Sequence, residues 1–190
     1  FPYTTLFRSK KSFKVVYGIK TGDNERFLSN EINGTENWKK CASSAKNIKK
    51  YTIDWQGDYL NVCSELAGLN NINYEQPKIL IQYIRKLSMP VRLVCALDKN
   101  GEYYPLNNFS FVISENGNSL QVLLGILNSR LMNWYFSNSF VDYNIKPKYI
   151  EQLPLPKEII SSELENIISK IITLKEKDKE TDTTDLETKA

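Results

Sequence analysis

At Ser119 the hydrophobic pattern of this chain changes period, and that change sets the fold class. Before it, apolar residues come in short β-rich runs: FKVVYGI at 13–19, KILIQYIRK at 78–86, VRLVCALD at 91–98 and FSFVIS at 109–114. Turn chemistry separates them, with KTGDN after the first, Pro77, Pro90 and the KNG turn around the next two, and ENGNS after the last. After it, Leu120, Leu123, Leu124, Leu127, Leu131, Trp134 and Tyr135 recur at helical spacing along one face, behind Ser119 as N-cap. Beyond LPLP at 153–156, Ile160, Leu164, Ile167, Ile171 and Leu174 alternate at spacings of four and three, and Ser162 with Glu165 reads as a capping box. The expectation is an α+β fold. It has a mixed or antiparallel sheet of short strands over about 13–113, a long amphipathic helix over about 119–137 and a C-terminal helix over about 159–175.

Other stretches are less regular. YTIDW and DYLNV, on either side of Gly57, read as a hairpin, and SELAGL as a short helix. Residues 29–50 read as loop with one helical turn. The last stretch, KEKDKETDTTDLETKA, has no apolar face, and residues 176–190 are expected to be disordered.

Composition removes whole chemistries. The chain has no histidine, so no Ser-His-Asp triad, Cys-His pair or His-containing zinc site can be built. Its cysteines, Cys41, Cys63 and Cys95, are few, odd in number and widely spaced, which argues against a disulfide framework or CxxC site and fits a reducing cytoplasm. No run of about 18 apolar residues exists, so no membrane span is expected. A phosphate-cradling GxxxxGK[ST] loop is absent, and the acids of the body form no paired set suited to acid–base work.

Charge is distributed unevenly. Residues 1–157 hold 20 Lys and Arg against 13 Asp and Glu, a balance of +7, whereas 158–190 hold 5 against 9, a balance of −4. A basic body permits a polyanionic partner. Its basic and amide side chains interleave with aromatics in four places. Lys20, Thr21, Asn24 and Arg26 sit in one turn, and Lys46, Lys49, Lys50 and Tyr51 in another. Gln82, Tyr83, Arg85 and Lys86 lie on or after a strand, and Lys146, Lys148 and Tyr149 follow the long helix. Lysine and arginine neutralise phosphates, and arginine and glutamine can bond base edges in pairs. Solvated surface charge accounts equally well for any one cluster taken alone.

Read in order, six stretches carry a resemblance: GIKTGDNERF (18–27), AKNIKKYTIDWQGDYL (45–60), PKILIQYIRK (77–86), ALDKNGEYYPLNNFSFVI (96–113), LLGILNSRLMNWYF (123–136) and IKPKYIEQLPLP (145–156). Together they resemble the TaqI-like C-terminal specificity domain of restriction–modification enzymes. The family shows a G-x-x-T-G-x-N-x-x-F opening, a "di-x-rY" loop, a pK-i strand, an a-x-D-x-x-g-y turn, an LNS helix and a closing LP-i-P. Two departures occur: Ala45-Lys46 stands where a glycine-basic pair is usual, and Leu155 where isoleucine is common.

The resemblance implies a target-recognition domain, residues 10–157, of a site-specific adenine-N6 DNA methyltransferase, often fused to an endonuclease. Double-stranded DNA and a catalytic domain lying N-terminal to residue 10 are the implied partners, S-adenosylmethionine is the cofactor of that other half, and no cofactor is expected in this chain. The F-x-G-x-G and [ND]PP[YF] hallmarks of catalysis do not occur, so the fragment itself is not expected to methylate. By alignment, Lys20, Thr21, Gly22 and Asn24 fall in the opening loop near DNA. Lys46, Lys49, Lys50 and Tyr51 fall in the second loop, Lys78 in the pK-i strand, and Lys146, Lys148 and Tyr149 before LPLP. Gln82 and Arg85 are selected as base readers from side-chain chemistry alone. The helix at 158–175 has room for a partner contact through 160–174. Half of a type I specificity subunit and a protein-interaction module remain as alternative readings. Finally, FPYTTLFRS at 1–9 reads as the translation of a sequencing-library adapter, so the natural sequence is expected to begin near Lys10 and to continue upstream.

Overall fold

Period-two alternation in the β-rich runs buries both faces of one sheet. The computed structural model describes residues 7–8, 13–32, 34, 37–115, 117–155 and 161–190. In chain order the strands are β1 (Phe7–Arg8), β2 (Phe13–Tyr17), β3 (Leu28–Ser29), β4 (Trp38–Ala42) and β5 (Tyr59–Asn61), followed by β6 (Lys78–Gln82), β7 (Cys95–Asp98), β8 (Tyr104–Pro105), β9 (Phe109–Ser114) and β10 (Pro154–Leu155). The helices are α1 (Asn24–Phe27), α2 (Leu120–Asn128), α3 (Arg130–Ser139), α4 (Pro147–Ile150), α5 (Ser162–Lys177) and α6 (Thr184–Lys189). The expected α+β class is what forms.

The central sheet runs β2-β9-β6-β7 and is antiparallel throughout. Ile79 and Ile81 of β6 join Phe13, Val15 and Val112 on one face, under α2, α3 and α5. Leu80 between them joins Val16, Phe111 and Ile113 on the other, covered by a second sheet ordered β3-β5-β4-β8. Since β4 and β8 run parallel, that sheet is mixed. Three layers result, with two apolar cores sharing the central sheet.

The expected long helix is two helices, because the edge strand needs partners. Asn128 accepts from the Cys95 amide at 3.1 Å and donates to the Cys95 carbonyl at 3.0 Å, which completes the open edge of β7 as a neighbouring strand would. Asn133 takes the amides of Arg92 and Leu93. To place both, the chain breaks at Ser129 (φ −64, ψ 153), whose hydroxyl then caps α3 at the Met132 amide. The break rotates the apolar face. Met132 and Phe136 are buried, while Leu131 and Trp134, expected on the single apolar face, are 74% and 64% exposed.

Other expectations are corrected by pairing. Trp38–Ala42, read as loop, is a strand because β5 and β8 flank it. The YTIDW/DYLNV hairpin does not form. β5 pairs with β3 and β4, while Tyr51 and Ile53 make isolated bridges to Ala96 and Ile48. SELAGL makes turns rather than a helix. Helix α5 is capped one residue early, by Ser161 on the Leu164 amide, and Glu165 bonds the Ser119 hydroxyl instead of closing a box. Its buried Ile168 and Ile171 face α2, where a Cβ on Gly125 would lie 2.7 Å from Ile168 Cδ1, so the core of the 160–174 stripe is used within the chain. Residues 176–190, expected to be disordered, end α5 and form α6 against the domain. Of the adapter-like stretch, Phe7 and Arg8 pair with Leu155 and Pro154, and 1–6 and 9 lie outside the described residues, as does Ile160. No helix is long and apolar enough to cross a membrane among the described residues.

Candidate nucleic-acid interface

Loops from four parts of the sequence meet where β2 and β6 end and β9 begins. The rings of Tyr17 and Tyr83 pack edge to face at 4.7 Å, and Lys20 Nζ lies 5.8 Å above Tyr17. The Tyr83 amide donates to the Asn108 carbonyl, and Asn108 Nδ2 to the Ser43 carbonyl. On the other side, the Ile145 amide donates to the Tyr83 carbonyl at 2.6 Å, and the Ser110 hydroxyl to the Ile145 carbonyl. The opening loop, the second loop, the segment after β6 and the segment before LPLP are thus tied to one sheet end. Exposed Lys20, Lys46, Lys86 and Lys148 project from them.

The opening motif is shaped by sterics. A Cβ on Gly18 would sit 2.0 Å from the Leu106 carbonyl oxygen, so only glycine lets the two backbones touch. Thr21 is buried and donates to Asn24 Oδ1, Gly22 takes φ +80, and Asp23 caps α1 through the Arg26 amide. Thr21, Gly22 and Asn24 therefore set the loop's shape, and Lys20 is the side chain it presents.

In the second loop, Ala45–Asn47 form a 3-10 turn, which is the backbone adopted where the usual glycine is missing. Buried Asn47 accepts the amides of Ser43 and Ser44. Tyr51 is a correction. It has φ +74, donates its amide to the Cys95 carbonyl at 2.8 Å and is 2% exposed, so its ring belongs to the core and cannot reach DNA. Lys49 is ion-paired with Glu180 and Lys50 with Glu187, at 2.7 Å for the latter.

Lys78, expected at the DNA, is fully buried. Opposite it across the β6–β7 register stands Asp98, with Nζ to Oδ2 at 2.6 Å. The ammonium also donates to the Tyr74 carbonyl at 2.8 Å, and Asp98 accepts the Glu102 and Tyr103 amides. Burial pushes Lys78 below the ordinary lysine pKa, and Asp98 pulls it back. The pK-i strand and the a-x-D turn thus meet as one internal ion pair that fixes the 99–103 turn. Gln82 is likewise buried, donating to the carbonyls of Ala45 and Ile48, and Arg85 is held by the Val91 carbonyl and Gln82 Oε1. These two selected base readers instead pin the second loop and the 85–91 loop.

In the fourth cluster, Asp142 accepts from Lys146 Nζ at 2.6 Å, the Tyr149 hydroxyl at 3.0 Å and the Asn144 amide at 2.9 Å. Lys146 first, then the Asn144 amide, lower the Asp142 pKa to about 2. The Tyr149 ring stacks on Phe140 at 4.8 Å, and Lys148 stays exposed beyond the Pro147 helix start. Sequence reasoning did not select Tyr143 or Ile84, which are 59% and 55% exposed beside the Ile84–Asn144 bridge. Tyr143 lies outside any apolar pattern, and Ile84 sits in the run read over 78–86 but beyond Gln82, where β6 ends.

A set of cations on loops clamped at one end of a rigid sheet is the arrangement of a module that grips a polyanion. The chain belongs to the family of TaqI-like C-terminal specificity domains, whose model matches residues 44–155. No curated protein matches it at a significant level. Family membership makes it a DNA-binding, target-recognising domain of the restriction–modification kind.

Proposed function

We propose that this chain is the specificity part of a site-specific adenine-N6 DNA methyltransferase whose catalytic half, with its S-adenosylmethionine site, lies upstream in the same polypeptide. The observation that carries the reading is the convergence of the four basic loops on one sheet end, within a chain belonging to the specificity-domain family. In this reading Lys20, Lys46 and Lys148 meet phosphates, and buried Gln82 pins the second loop to the end of β6. Base contacts come from the exposed side chains between those lysines, while the other half turns the target adenine out of the duplex.

Reading the gene from an independently prepared library tests the parentage. The codons for FPYTTLFRS should be replaced, and the continuing upstream frame should encode an [ND]PP[YF] methyltransferase. Persistence of the nine codons behind a start site would contradict it.

A further inference from the structure

Two of the three lysines of the second loop, Lys49 and Lys50, are already occupied, and by the acidic end of the same chain. Lys49 Nζ pairs with Glu180, and Lys50 Nζ lies 2.7 Å from Glu187. A third pair runs the other way, from Lys179 to Asp54. The segment is folded to make these contacts. Lys175 Nζ donates to the Thr181 carbonyl at 3.0 Å where the chain turns back after α5. Thr183 is 3% exposed and donates to Glu187 Oε1 at 2.8 Å, and Leu186 of α6 packs against the helix-side core. Carboxylates seven residues apart are thus delivered to adjacent lysines. This is the stretch whose composition, acidic and without an apolar face, has the chemistry of a solvated tail rather than a core element.

We propose that residues 178–190 are an intramolecular competitor for the DNA backbone, laying carboxylates where phosphates would neutralise Lys49 and Lys50. The proposal rests on the DNA-binding reading above. A phosphate cannot share these ammonium groups with Glu180 and Glu187 without bringing like charges together, so duplex and tail exclude one another at this loop. Glu180 is 80% exposed and Lys49 48%, which places the outer pair in the weak, salt-screened class, whereas Lys50 and Glu187, at 26% and 23%, are the firmer hold that lifting the tail must break. Apparent DNA affinity is then scaled by the fraction of molecules whose tail has lifted. Lys46, on the same loop, forms no ion pair among the described residues and stays available for first encounter.

The test compares a mixed-sequence duplex binding to the full chain, to E180Q/E187Q and to K49A/K50A, across a salt series. Glutamine keeps the size and exposure of each side chain. E180Q/E187Q should bind about 3- to 30-fold more tightly at low salt. Its log–log salt slope should steepen by about 1.8, the equivalent of two phosphate contacts regained. In the K49A/K50A background the same glutamine changes should gain nothing. A chain ending at Lys177 should gain at least as much as E180Q/E187Q, and its melting temperature shows whether losing α6 has unfolded it, in which case the glutamine pair decides. Wild-type affinity and slope in E180Q/E187Q, with binding intact, overturn the proposal, as does an equal gain without the lysines. Absence of duplex binding in every variant overturns the DNA reading and the competitor with it, a different outcome from equal binding.

Discussion

Lys78→Ala will destabilise the domain by about 3–5 kcal/mol, read from the denaturation midpoint at unchanged m-value. The side chain is fully buried, and its removal strands Asp98, itself 2% exposed, without a counter-ion. Asp98 keeps the Glu102 and Tyr103 amides, but those cannot neutralise its charge. Replacing both partners with apolar residues, as in K78M/D98L, should cost less than K78A alone, because no uncompensated charge then remains. An exposed DNA-facing lysine would behave differently, with a change within about 0.5 kcal/mol and a loss only in binding. A small stability change for K78A would therefore leave the ion pair with no part in holding the fold.

Gly18→Ala will be nearly as damaging, at about 3 kcal/mol or more. The added methyl would stand 2.0 Å from the Leu106 oxygen and 2.9 Å from the Phe109 oxygen, both backbone atoms with no rotamer to yield. Relief requires parting β2 from the 106–109 turn, which breaks the hydrogen bonds that the Gly18 amide donates to the Phe109 carbonyl and the Ile19 amide to the Pro105 carbonyl. The opening loop and Lys20 would move with it. At Gly57, by contrast, an added methyl would meet open space, and the constraint there is the positive φ of +92 alone. Near-wild-type stability for G18A would show that β2 and the 106–109 turn lie further apart than this contact requires.

The elements legible in the sequence are those whose own apolar spacing decides the outcome. β2, β6, β7 and β9 were legible because β-branched and aromatic residues alternate between two apolar layers. α5 was legible from its stripe. The break at Ser129 was not, since serine is tolerated in a helix and the deciding bonds run from Asn128 to an edge strand 33 residues away. β4 was hidden for a similar reason. WKKCA has no strict alternation and becomes a strand only because β5 and β8 lie beside it. At the site, charge was visible and burial was not. Lys20, Lys46 and Lys148 are exposed, whereas Lys78, Gln82 and Tyr51, selected beside them, are turned inward. Within this chain the motif residues are tied by sterics and internal pairing: Gly18 against Leu106, Lys78 against Asp98, Asn128 against Cys95.

Whether one sheet end grips the DNA backbone is decided by the salt dependence of duplex binding, compared between the wild-type chain and K20A/K46A/K148A. Each lost phosphate contact removes about 0.9 from the log–log slope, so the triple variant should fall short of wild type by about 2.7 while its thermal stability is retained. An unchanged slope, or a wild-type chain whose affinity for duplex DNA does not depend on salt, would mean that these lysines do not hold the backbone.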